Sequence, residues 1–160
     1  MDIFAFAMQM EKDGEAFYRE LATKADNQGV VSILNLLADE ELKHYKAIEA
    51  IQTEDYDMKD VDVLDHARNV FRQMKDFGTT FQTDVKAAEL YKEAMEIERK
   101  SIDFYLDRAD QMEKPSQKQL FLRLAEEEKK HYRLMDNLAE FVSQPDAWLE
   151  NAEFFHGKEY

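Results

Sequence analysis

Slid against itself by 87 residues without a gap, the chain falls back into register. Ala7 meets Ala94, Met8 meets Met95, Glu11 meets Glu98, Phe17 meets Phe104 and Tyr18 meets Tyr105. Further along, Ala22 meets Ala109, Ala38 meets Ala125, Glu40-Glu41 meets Glu127-Glu128, and Lys43-His44-Tyr45 meets Lys130-His131-Tyr132. Shared helical composition readily matches Ala and Glu. It does not readily place Tyr and His at one ungapped offset as well. Such a chain is constrained to build two similar substructures, packed with approximate two-fold symmetry.

What those substructures are follows from what the sequence lacks. Four Gly and two Pro in 160 residues leave long stretches without a helix breaker, rich in Ala, Leu, Glu, Lys, Met and Gln. Alternating β-branched runs are absent, so the fold class is all-α. Helices are expected at about 2–26, 28–52, 83–112 and 116–143, with a shorter one at about 60–77. Asn27-Gln28-Gly29 separates the first long pair and Lys114-Pro115-Ser116 the second, with Pro near the first turn of the following helix. Gly78-Thr79-Thr80 closes the short middle helix. Short loops within each pair imply antiparallel neighbours. The 53–82 segment is too long for a tight turn and should be a crossover carrying its own helix. The expected architecture is a four-helix bundle of two repeated hairpins, a single domain over 1–160 with a short C-terminal tail from about 145.

The helix faces show which repeated positions carry chemistry. In the second helix an apolar stripe runs Leu34, Leu37, Ala38, then Glu41 and His44, then Ile48. In the fourth it runs Phe121, Leu124, Ala125, then Glu128 and His131, then Met135 and Leu138. Both Glu-x-x-His pairs thus interrupt a core face at i, i+3 spacing. The first helix adds Glu11 to the stripe Phe4, Ala7, Met8, Tyr18, and the third adds Glu98 to Tyr91, Ala94, Tyr105. Glu126, Glu127, Lys129 and Lys130 fall largely off the stripe and read as a solvated charge run. An ionised carboxylate buried without a partner costs many kcal/mol or protonates. No Lys or Arg stands in these stripes at matching depth, whereas two divalent cations would balance four Glu with both His neutral. Oxygen-rich ligation with one imidazole per metal suits iron or manganese better than a structural zinc site. The competing reading is a pair of exposed helix faces on which Glu and His are merely periodic.

Glu11…Tyr18…Glu41-Leu42-Lys43-His44 and Glu98…Tyr105…Glu128-Lys129-Lys130-His131 together resemble the rubrerythrin-type, ferritin-like di-iron proteins, over roughly residues 3–143. The resemblance implies a ferritin-like bundle holding two iron ions, with manganese or zinc as substitutes. It implies that Glu41 and Glu128 bridge the metals, that Glu11 and His44 complete one site, and that Glu98 and His131 complete the other. Tyr18 and Tyr105 resemble the family's tyrosines that hydrogen-bond ligand carboxylates; they read equally as ordinary core aromatics. There are departures. Rubrerythrin proper carries a further ligand Glu three residues after the third-helix Glu, where this chain has Ser101, with Gly14 as its repeat partner. The family's rubredoxin-like iron domain has no counterpart in a chain without Cys, so electrons are expected from a separate rubredoxin-type or other donor. The tail with Trp148, Leu149, Phe154 and Phe155 resembles tails of short rubrerythrin-like proteins and should dock on the bundle or on a partner chain. Glu153 fits a capping or surface role better than a ligand, and His66 and His156 have no matching spacing.

Other functions are narrowed by composition. Thirty-five Asp and Glu against 21 Lys and Arg give a net charge of −14, which repels nucleic-acid backbones. No apolar run approaches the roughly 20 residues of a membrane span, and the N-terminus lacks the basic start of a signal peptide, so a cytoplasmic protein is expected. Absent Cys excludes a thiol nucleophile, and no phosphate loop or Ser elbow is present. Three functions are compatible with these residues. One is a di-iron oxidoreductase acting on peroxide or oxygen, the second a ferroxidase or iron-handling protein, and the third a metal-free helical interaction module. A homodimer is expected, with exchange of helix pairs through the crossover as one form of it.

Overall fold

The computed structural model describes residues 2–53, 62–76 and 84–150. Among them there is no strand. The helices are α1 (Ile3–Lys24), α2 (Gln28–Ile51), α3 (Val63–Asp76), α4 (Val85–Ala109), α5 (Pro115–Ser143) and α6 (Pro145–Glu150). The five expected helices are all present, with ends within three residues of those expected. Local chemistry sets the boundaries. Asp2, Asn27 and Asp84 each accept a hydrogen bond from the backbone N–H three residues on, capping α1, α2 and α4. Pro115 opens α5, where its missing N–H costs nothing. Gly29 falls inside the first turn of α2 rather than in the loop. A Cβ there would meet Met74 Sδ at 2.5 Å, so its smallness lets α3 lie against α2. The expected stop at Gly78-Thr79-Thr80 lies outside the described residues.

α1 packs along α2 and α4 along α5, and the two hairpins meet through α2 with α5 and α1 with α4. This is the ferritin-like bundle, and one chain supplies all four long helices. The crossover helix α3 seals one side against α2, α5 and α6. α6 turns Trp148 and Leu149 inward, with the Trp148 ring centroid 4.5 Å from Phe71 of α3 and 5.9 Å from Phe141 of α5. The described part of the tail therefore docks on its own bundle; Glu153, Phe154, Phe155 and His156 lie outside the described residues. His66 is exposed on α3.

The apolar core comes in two layers. One holds Tyr18, Ile33, Leu34, Leu37, Phe71, Leu138, Phe141 and Trp148. The other holds Ala7, Ile48, Ile51, Tyr105, Phe121 and Leu124. Between them lie the mid-points of the four long helices, and there the core turns polar. No described helix is long and apolar enough to cross a membrane.

Candidate metal centre

Each long helix contributes to the polar layer because its inward stripe carries Glu in place of an aliphatic residue. Along α1 the buried positions are Ala7, Glu11, Gly14, Tyr18, Leu21 and Ala22, spaced by 3–4 residues from Ala7 to Leu21, a period that turns Glu11 into the bundle. Glu11, Glu41, His44, Glu98, Glu128 and His131 are all buried. Two groups of four are close enough to share an ion: Glu11, Glu41, His44 and Glu128, and Glu41, Glu98, Glu128 and His131. Glu41 and Glu128 belong to both. The six candidates are thus brought together, with the two Glu of the Glu-x-x-His pairs at the centre and one Glu and one His on either side.

The pseudo-symmetry extends to the contacts. His44 Nδ1 lies 2.8 Å from Glu128 Oε1, and His131 Nδ1 lies 2.9 Å from Glu41 Oε1, so each imidazole reaches the carboxylate of the opposite hairpin. The two rings stand nearly parallel with centroids 5.6 Å apart. Tyr18 donates to Glu98 and Tyr105 donates to Glu11. Both tyrosines are therefore more than core aromatics, and each crosses to the other hairpin to hold a Glu. Their phenols are pushed well above the usual range, by burial first and then by the surrounding carboxylates.

Without a cation the layer is held by protons. Burial and then the neighbouring charges of Glu11 and Glu128 raise Glu41, and burial and Glu128 raise Glu98. Burial opposes ionisation of Glu128 too, but hydrogen bonds from the Glu98 carboxyl and the two imidazoles win and hold it well below the usual carboxylate range. Burial works against a charged His44, yet Glu11 and Glu128 lift it to about 10; His131 is lifted likewise, chiefly by Glu128. Even so, Glu11 Oε2, Glu98 Oε2 and Glu128 Oε2 are enclosed with no hydrogen bond from a fixed donor. Enclosed, orphaned carboxylate oxygens around two imidazoles are what a pair of hard-to-borderline divalent cations would satisfy, so the residues fit a di-metal site.

One expectation is corrected. Glu127 is not solvated: it is 4% exposed, as its repeat partner Glu40 is 5% exposed. Among the described residues, each pairs with the Lys three residues on, Glu40 with Lys43 and Glu127 with Lys130, both at 3.8 Å. The buried arc of α2 and α5 is wider than one stripe, and the Lys stems help to cover its edge. Among the described residues, neither belongs to a ligand group. Only the doubled Glu-Glu in both repeats hinted at this. Ser101 is half-buried and supplies no carboxylate. A separate cavity of about 1150 Å³ opens where α1 turns into α2, lined by Asn27, Met74, Tyr91 and Pro145 among others, and none of the candidate ligands reaches it.

A family model described as Rubrerythrin matches residues 2–139 of the chain. No curated protein and no solved structure matches it.

Proposed function

The chain belongs to the rubrerythrin family, and from that premise we propose that it is a di-iron oxidoreductase that reduces hydrogen peroxide or oxygen with electrons from an external, rubredoxin-type donor. The observation that carries this reading is the pair of four-residue groups sharing Glu41 and Glu128. Glu11 and His44 would hold one ion, Glu98 and His131 the other, and Glu41 and Glu128, common to both groups, would serve both. Iron bound there would supply redox chemistry: two electrons, with two protons, reduce one peroxide to two waters, and the external donor would restore those electrons.

The protein's own part is preparation. The apolar layers on both sides keep bulk water from the carboxylates and raise the effective strength of every charge between them. Tyr18 and Tyr105 fix the orientation of Glu98 and Glu11 across the hairpin boundary. To ligate, His44 and His131 give up the protons that the metal-free protein holds on them. The protein works in this reading as a cytoplasmic homodimer. The half-exposed Phe6 of α1, 5.1 Å from Phe104 of α4, offers an apolar start for the contact between copies.

The test is turnover. Iron-loaded protein supplied with reduced donor should consume peroxide at two electrons per molecule, and protein stripped of iron should not. Iron taken up far beyond two per chain as a mineral core, without peroxide consumption, would replace this function with iron storage.

A further inference from the structure

Gly14 lies in the middle of α1, buried, one turn after Glu11 and one turn before Tyr18. Nothing in the backbone calls for glycine there, because the position is ordinary right-handed helix. Glycine in such a place weakens a helix relative to alanine. What the position does demand is space. A Cβ built on Gly14 would stand 2.9 Å from Glu41 Oε2, 3.4 Å from its Cδ and 3.5 Å from its Cγ. The first distance is well inside ordinary contact. Glu41 is one of the two carboxylates common to both ligand groups, and its other oxygen is the partner of His131 Nδ1 at 2.9 Å. Pushing Oε2 aside therefore also turns Oε1 away from the opposite hairpin. The repeat breaks at this point: the position matching Gly14 is Ser101, which carries a side chain and is only half-buried.

We propose that Gly14 is a positioning residue of the metal centre: by lacking a Cβ it leaves the volume that the Glu41 carboxylate occupies where the two ligand groups meet. The inference rests on the proposed role of Glu41 as a shared ligand. It sets metal binding against helix stability at one residue. Alanine should suit α1 better than glycine and suit the centre worse.

Gly14→Ala is compared with the unsubstituted chain and with Ser101→Ala. Melting of the metal-free proteins and anaerobic titration with Co(II) are the two readouts, the second followed by visible absorption. The metal-free Gly14→Ala protein should melt at the same temperature or higher. Its Co(II) affinity should fall by about tenfold or more, the effect expected when a ligand loses its orientation, with an altered ligand-field spectrum. Ser101→Ala should match the unsubstituted chain in both. Unchanged affinity and spectrum in Gly14→Ala would overturn the proposal. So would a fall in metal-free melting temperature, which would make Gly14 a packing residue. Failure of the unsubstituted chain to bind Co(II) at all would instead overturn the di-metal reading, and is seen in a different sample.

Discussion

Glu127 and Glu128 are neighbours in sequence, both buried, and differ by about 100° around α5. That angle separates a carboxylate shared by two ligand groups from one that pairs with Lys130 at 3.8 Å. We expect Glu41→Ala and Glu128→Ala each to abolish loading of two metals, and Glu127→Ala to retain it, as read by metal analysis of the purified variants. Normal loading in Glu41→Ala would remove the assignment. The spacing of Glu11, Glu41, His44, Glu98, Glu128 and His131 was legible in the sequence because one helical period and one repeat offset place all six. The burial of Glu40 and Glu127 was not, because a stripe drawn on one helix does not show how far its neighbours wrap around it. Nor were the partners of Tyr18 and Tyr105. Periodicity gave the face on which each tyrosine lies, and only the packing of hairpin on hairpin gives the Glu it meets.

At the level of elements, the absence of breakers made the long helices readable, and turn chemistry around Asn27 and Pro115 marked the breaks between them; the structure adds that Asn27 caps α2 and that Pro115 sits in the first turn of α5. The docking of α6 was half legible. Trp148 and Leu149 announced an apolar segment, but Phe71 and Phe141, which receive Trp148, are 77 and 7 residues away in sequence and share no local pattern with it. Trp148→Ala should lower stability by about 3 kcal/mol, the usual loss for a truncated core aromatic, as measured by urea denaturation. Metal loading should be unchanged, because Trp148 belongs to the layer closed by α3 and α6 and to neither ligand group. A loss below about 0.5 kcal/mol, the range of surface substitutions, would mean that α6 contributes little to holding the bundle.

For the whole molecule, the proton inventory fixes a pH dependence. His44 titrates near 6.5 in an unfolded chain and at about 10 in the folded, metal-free protein. A pKa raised on folding gives stability that is full below about pH 6.5 and lost as pH rises through about 10. Glu41 and Glu98, also raised, act in the same direction, while Glu128, lowered, withdraws stability on the acid side. The metal-free protein should therefore melt at progressively lower temperature between pH 6.5 and 10. In the loaded protein cations replace the protons, and because ligation releases protons the metal binds more tightly as pH rises. The gap between the two melting curves should widen toward alkaline pH; a constant gap would contradict the assignment of these protons. Assembly is tested by sedimentation at micromolar concentration, where a dimer is expected. A stable monomer would contradict the homodimer, and a 24-subunit particle would favour storage.

The central claim is that the polar layer between two apolar ones is a two-metal site. Its most direct test is anaerobic titration of the metal-free chain with Fe(II), with melting followed alongside. The account predicts saturation at two ions per chain and a melting temperature raised by many degrees, since ligand at about a thousandfold excess over its dissociation constant stabilises by about 4 kcal/mol. No saturable uptake, with coincident melting curves at every iron concentration, would contradict it.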